Sequence, residues 1–342
     1  MNRSPNQGFN NQDKSEDSHP KPTIFPATSQ VLKMIFCFIC TGMFLSGDGD
    51  RLKSTIASVD PQKLAKRVNQ VAADISIRIL DQDFLGSGFI VQQTGREYII
   101  ITNQHVLRAG KAPYKIETVD GKIHQAKVIS DMNAADYQYD LAALKFSADE
   151  VYQTATIGNS VELKVGQPVF AAGFPYQESS TDTKTPALFA ESNSYSSRKL
   201  ALKSGRIAII LNQALEEGYQ IGYTNDVKKG MSGGALINDQ GEVIGVNGKH
   251  AYPLWESPEI YQDGSEPCPA LQELITRSSL AIPIEKSSEL ATQLKSIKPI
   301  PKTERPVNNN SYEDSPLAAK MQAIAEETMK KCRQQPAVLE DQ

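Results

Sequence analysis

Four cysteines in 342 residues are too few for a disulfide-stapled scaffold. Two of them, Cys37 and Cys40, lie inside the most apolar stretch, "MIFCFICTGMFL", residues 34–45. That leaves Cys268 and Cys332 either to form a single bridge or to stay as free thiols. Basic residues never cluster into a long run, and 36 of them stand against 40 acidic ones for a net charge of −4, so no nucleic-acid partner is expected. No apolar run reaches the roughly 20 residues that comfortably span a bilayer. Internal repeats are absent, which excludes a repeat architecture. What remains, 39% hydrophobic and 22% charged, is an ordinary soluble composition with room for one large domain or two small ones.

The stretch 34–45, preceded by Lys33, has the length of a secretory signal core. The segment 1–48 is therefore expected to be a polar leader followed by a signal-like or anchor segment, with export to the periplasm or the extracellular space. A membrane tether through residues 34–45, a start upstream of the true one at Met34, and a buried element of the folded body are the alternatives.

Beyond Gly47-Asp48-Gly49-Asp50, Asp60 as N-cap and Pro61 at the first helical position predict a short helix with Leu64, Val68 and Val71 on one face. The pattern then changes. Short runs such as "ISIRIL", "GFIVQQ", "EYIIIT", "YDLAALKF", "QPVFAAGF", "GRIAIIL" and "EVIGVN" alternate with polar or glycine-bearing turns, which predicts an antiparallel barrel or sandwich over about 70–285. "NDQG" reads as a hairpin turn. Long polar insertions occupy 177–199 and 252–279. After about residue 296 comes a linker and a helix capped by Ser315, with Leu317, Met321, Ile324, Thr328 and Cys332 along the side expected to dock.

Chemistry concentrates in "DVKKGMSGGALI", residues 226–237. A serine hydroxyl attacks a carbonyl only if a base takes its proton and donors receive the oxyanion. Glycine at 230 lets its own N–H and that of Ser232 point into one small space, while Gly233 and Gly234 allow close packing beneath. An ordinary turn has the same letters, so a base and an acid must be found elsewhere. Four histidines are available. His19 lies in the leader, His124 in a polar strand and His250 after "GVNGK", whereas His105 follows the apolar run of "YIIITNQHVL" on a rigid element. Asp140, at the start of "YDLAALKF", is the candidate to orient the imidazole, with Asp131 and Asp136 as alternatives. The chain order His105, Asp140, Ser232 is that of chymotrypsin-type enzymes.

With "GSGFIV", "TNQHV", "GQPVFAAGFP", "YTND" and "GMSGGALIN", the chain resembles the trypsin-like serine peptidases of bacteria, particularly the exported kind of cyanobacteria, over about 70–285. That resemblance implies an all-β fold of two antiparallel barrels, about 70–150 and 151–285, within a protease domain at 49–295, followed by a linker and helix at 296–342. It implies protein or peptide substrates, His105 as general base, Asp140 as orienting carboxylate, Ser232 as nucleophile, and the Gly230 and Ser232 N–H groups as oxyanion hole. No metal or organic cofactor is implied. Asp226, by its spacing from Ser232, resembles the pocket residue that selects basic side chains, and Asn247 stands where the similar glutamyl endopeptidases carry a histidine; both are candidate substrate-binding residues.

Departures from the family are equally specific. There is no "IVGG"-like activation peptide, no set of trypsin disulfides, and no expectation of a second globular module of the kind that follows the catalytic domain in HtrA-type proteases. A protease-like scaffold without catalysis is the rival reading. An esterase would share the triad but lacks the G-x-S-x-G elbow.

Overall fold

The computed structural model describes residues 61–81, 84–129, 138–176, 199–252, 258–287 and 315–334. The apolar stretch 34–45, His19, Asp60, Asp131 and Asp136 lie outside them. Helix α1 (Pro61–Ile75) buries Val68 and packs Leu64 and Val71 against the core, the face its spacing predicts, and runs directly into β1 (Ser76–Leu80).

Among the described residues twelve strands close into two antiparallel barrels, as the resemblance implies and as one of the two architectures the β-pattern allows. The first comprises β1, β2 (Phe84–Thr94), β3 (Glu97–Thr102), β4 (Tyr114–Glu117), β5 (Ile123–Val128) and β6 (Ala142–Ser147), in the spatial order β1-β2-β3-β6-β5-β4. The second comprises β7 (Pro168–Gly173), β8 (Ala201–Ile210), β9 (Ile221–Tyr223), β10 (Ala235–Asn238), β11 (Val243–Lys249) and β12 (Ser279–Pro283), in the order β10-β11-β12-β9-β8-β7. A polar–apolar alternation is missing from "YIIIT" for a physical reason. Tyr98 and Ile100 fill the first barrel, while Ile99 and Ile101 on the opposite face join a second cluster that continues into the other barrel. The "NDQG" turn closes β10 onto β11 as expected: Asn238 Oδ1 accepts from the N–H groups of Gln240 and Glu242 at 3.0 and 2.9 Å.

Insertion 252–279 holds α3 (Pro269–Thr276), and the chain later returns as α4 (Pro316–Gln334). Cys268 and Cys332 are disulfide-bonded, with a Cα–Cα distance of 5.5 Å, so the bridge ties α4 to the insertion. Ser315 Oγ accepts from the Ala318 N–H at 3.1 Å, the cap that the sequence predicts. The docking face agrees with the expected stripe at Thr328 and Cys332 and departs from it nearer the start of the helix. Ala318, Ala325 and Thr328 are buried, whereas Leu317 and Ile324 are 53% and 45% exposed. Close approach decides this: a Cβ at Gly166 would stand 2.8 Å from the Ala318 Cβ, so only small residues fit where α4 meets the barrel. Among the described residues, no helix is long and apolar enough to cross a membrane.

Candidate active site

Strand β3 ends at Thr102, and the fully buried Asn103 leads into the single-turn helix α2 (Gln104–Arg108). His105 is thereby fixed at one end of the first barrel. Asp140 lies two residues before β6, and its backbone is held from two sides: its N–H donates to the Glu217 carbonyl at 2.8 Å and its carbonyl accepts from Asn103 Nδ2 at 2.8 Å. The carboxylate grips His105 with both oxygens. Oδ1 accepts from the His105 backbone N–H at 2.8 Å, and Oδ2 stands 2.5 Å from Nδ1. A carboxylate partner at that distance assigns the ring proton to Nδ1 and leaves Nε2 as the acceptor.

The Asp140 side chain is fully buried while that of His105 is 39% exposed. An ion taken out of water is tolerated only when its lone pairs are met. A third donor, the Tyr219 hydroxyl, reaches Oδ2 at 2.5 Å, and Arg108 Nη2 stands 3.9 Å from Oδ1. Burial, then the Asp140 charge, holds the Tyr219 phenol well above its ordinary range, so it stays a donor.

Ser232 comes from the second barrel, on the loop between β9 and β10. Gly230 and Gly233 have φ of 93° and 82°, values that side-chain-bearing residues rarely adopt. The first barrel takes hold of this loop through Ser87 of β2. Its N–H donates to the Ser232 carbonyl at 2.9 Å, and its hydroxyl donates to the Gly230 carbonyl at 2.8 Å. Gly233 completes the junction. A Cβ there would meet Ser87 O and Thr102 Oγ1 at 2.2 Å and the Asn103 N at 3.0 Å, so any larger residue would push the serine loop off the segment that carries His105.

Among the described residues, neither the Gly230 nor the Ser232 N–H has a protein acceptor. The Ser232 hydroxyl donates to the Gly248 carbonyl at 3.0 Å, and the described residues include no hydrogen bond between it and His105.

Of the two candidate substrate-binding residues, Asp226 is exposed and Asn247 is buried. Asp226 is 64% exposed and pairs with Lys228 at 2.7 Å; its neighbour Asn225 turns inward instead, donating to the carbonyls of Val169 and Lys203 at 3.0 and 2.6 Å. Asn247 is fully buried and spends its amide on the chain itself, donating to the carbonyls of Ala172 and Ala235 at 3.0 and 3.1 Å and accepting from Tyr223 at 2.9 Å. Its backbone brackets the serine loop through the Gly233 N–H and the Gly234 carbonyl. The other described histidines are engaged elsewhere: His124 Nε2 lies 3.1 Å from the Tyr152 hydroxyl, and exposed His250 bonds the Ala251 carbonyl. Sequence reasoning missed Ser87, Asn103 and Tyr219. Ser87 and Asn103 lie in "GSGFIV" and "TNQHV", whereas nothing local marks Tyr219.

The family described as trypsin-like peptidase domain matches residues 86–246. Residues 86–246, just under half of the chain, are thus similar to a trypsin-like peptidase domain. The matched part of the peptidase domain begins in β2 and ends in β11, and His105, Asp140 and Ser232 all fall within it. The chain is also similar to the serine protease Do-like HtrA of Lactobacillus helveticus, 32% identical over 162 residues, which is 47% of this chain and 35% of that protein. Serine protease HTRA4 of Mus musculus is 32% identical over 162 residues, 47% of this chain and 29% of its own length. The Do-like HtrA of Bacillus subtilis is 30% identical over 162 residues, 47% and 32% respectively. The chain thus spans about a third of the length of the curated relatives it matches.

Proposed function

We propose that this chain is an exported serine endopeptidase that hydrolyses peptide bonds through an acyl-enzyme. Ser232 Oγ is the nucleophile, His105 Nε2 the general base and Asp140 the carboxylate that fixes the imidazole tautomer and stabilises the imidazolium. Rotation about the Ser232 Cα–Cβ bond exchanges the Gly248 carbonyl for His105 Nε2. Attack on the substrate carbonyl then develops a negative charge facing the N–H groups of Gly230 and Ser232. His105 next delivers its proton to the leaving amine, and the same base activates the water that breaks the ester.

The observation that most supports this reading is the grip of buried Asp140 on both the backbone and the ring of His105. Nothing in that arrangement serves a mere turn, because a buried ion is costly to keep. The rival scaffold reading draws on the resting Ser232–Gly248 bond, and one experiment separates the two. Incubated with unfolded casein, the wild-type chain is expected to release fragments and Ser232→Ala to lose on the order of 10⁶-fold in kcat. Casein bound but not cleaved by the wild type would establish the scaffold instead.

A further inference from the structure

The oxygen of Asp140 that faces the His105 ring accepts a second, wholly buried donor, the Tyr219 hydroxyl at 2.5 Å. The phenol is fitted to this place by a neighbouring glycine. A Cβ at Gly248 would stand 2.2 Å from the Tyr219 oxygen and 2.3 Å from Cε1, so any side chain at 248 would evict the hydroxyl. Gly248 has no need of glycine for its backbone, since its φ is not among the positive ones. The space itself is what the residue provides, beside the carbonyl that holds Ser232 Oγ.

On the ring of Tyr219 lies a cation. Lys249 Nζ is 4.9 Å from the ring centroid and bonds both oxygens of Glu259 at 2.9 Å, with the two side chains only 24% and 12% exposed. Glu259 belongs to insertion 252–279, and the chain beside it is fastened to the loop that carries Tyr219. The Glu216 N–H donates to the Ile260 carbonyl at 2.9 Å and the Gln262 N–H to the Ala214 carbonyl at 3.1 Å.

We propose that Tyr219 is a positioning residue for the His105–Asp140 pair, and that the Lys249–Glu259 ion pair, half of it supplied by the insertion, sets how strongly that pair holds its proton. This rests on the triad reading above. A cation against the ring face makes the phenol a better donor, which draws charge from Asp140, and Glu259 offsets the cation. The other charged groups facing this cluster are Arg108, which pairs with Glu217 at 3.2 Å, and Lys286, 5.1 Å from the centroid of the adjoining Tyr139 ring. They are unchanged in the variants that follow.

The signs are therefore opposed. Lys249→Met leaves the Glu259 charge uncompensated, favours the imidazolium, and moves the acid limb of activity to higher pH. Glu259→Gln leaves the cation uncompensated and moves the limb to lower pH. Tyr219→Phe keeps the ring but removes the donor, so Asp140 holds the imidazolium proton more tightly and the limb moves up.

The test is the second-order rate of labelling by a fluorescent fluorophosphonate, followed from pH 5 to 9 on the full-length chain, with melting temperature as the folding control. Tyr219→Phe is expected to label about tenfold more slowly at neutral pH, the effect of one hydrogen bond to a charged group. Its acid limb should rise with that of Lys249→Met, while that of Glu259→Gln falls. A folded Tyr219→Phe with wild-type rate and profile would overturn the proposal, as would Lys249→Met and Glu259→Gln limbs that move together or stay fixed. If Tyr219→Phe does not fold, the Lys249 and Glu259 variants decide alone. A wild-type chain that takes no label removes the triad reading and this one with it; a labelled wild type with silent variants removes only this one.

Discussion

The two barrels contribute to the site by different means. The first supplies His105 and Asp140 from the ends of β3 and β6, which are paired neighbours, so one register fixes the two side chains together. The second supplies Ser232 from a loop with two positive-φ glycines, and that loop is positioned by contacts with Ser87, Thr102 and Asn103 of the other barrel. It also bears the additions: insertion 252–279, α3, α4 and the Cys268–Cys332 bridge. A buried charge needs a dry, rigid frame, which a closed barrel gives directly. The loop that carries Ser232 takes, at Gly230 and Gly233, backbone shapes that glycine adopts readily and other residues rarely do, and such a loop must be braced from outside.

That contrast can be broken on the first barrel with the largest effect. Asp140→Asn keeps size and shape but offers the wrong hydrogen-bonding partner to Nδ1, and kcat on casein is expected to fall on the order of 10⁴-fold with little change in melting temperature. On the second barrel, replacing Cys268 by serine opens a cross-link between residues 64 apart in sequence. The expected loss is about 2–4 kcal/mol in denaturant unfolding, with far less effect on casein turnover than Asp140→Asn produces. The smallest effect belongs to Asp226. Its exposed pair with Lys228 is worth little, so Asp226→Ala is expected to change stability by less than about 1 kcal/mol and to leave the cleavage pattern of a peptide library unaltered. A loss of basic-residue preference in that variant would return Asp226 to the pocket.

Much of this was legible in the chain. The valine- and isoleucine-rich runs marked antiparallel β-structure and "NDQG" its hairpin, because strand composition and turn chemistry are local properties, whereas the pair of closed barrels came from the resemblance. His105, Asp140 and Ser232 were singled out as candidates by their types and order, and the structure sets the first two 2.5 Å apart. Other features depended on contacts between distant segments. Spacing alone cannot say whether Asp226 or Asn225 turns inward, since successive residues of an extended chain point to opposite sides. Tyr219 lies 79 residues from Asp140, and its partner Lys249 is paired by an insertion that reads only as a long polar loop. Of the stripe expected to dock α4, Thr328 and Cys332 pack inward, whereas Leu317 and Ile324 stay exposed, because close packing against Gly166 selects alanine at 318.

The central claim is that Ser232 is made nucleophilic by a base that Asp140 holds in place. Mass-spectrometric mapping of the fluorophosphonate adduct tests it most directly. The adduct is expected on the peptide containing Ser232 in the wild type, absent in Ser232→Ala and reduced by orders of magnitude in His105→Ala. An adduct elsewhere, or one formed equally well without His105, would contradict it.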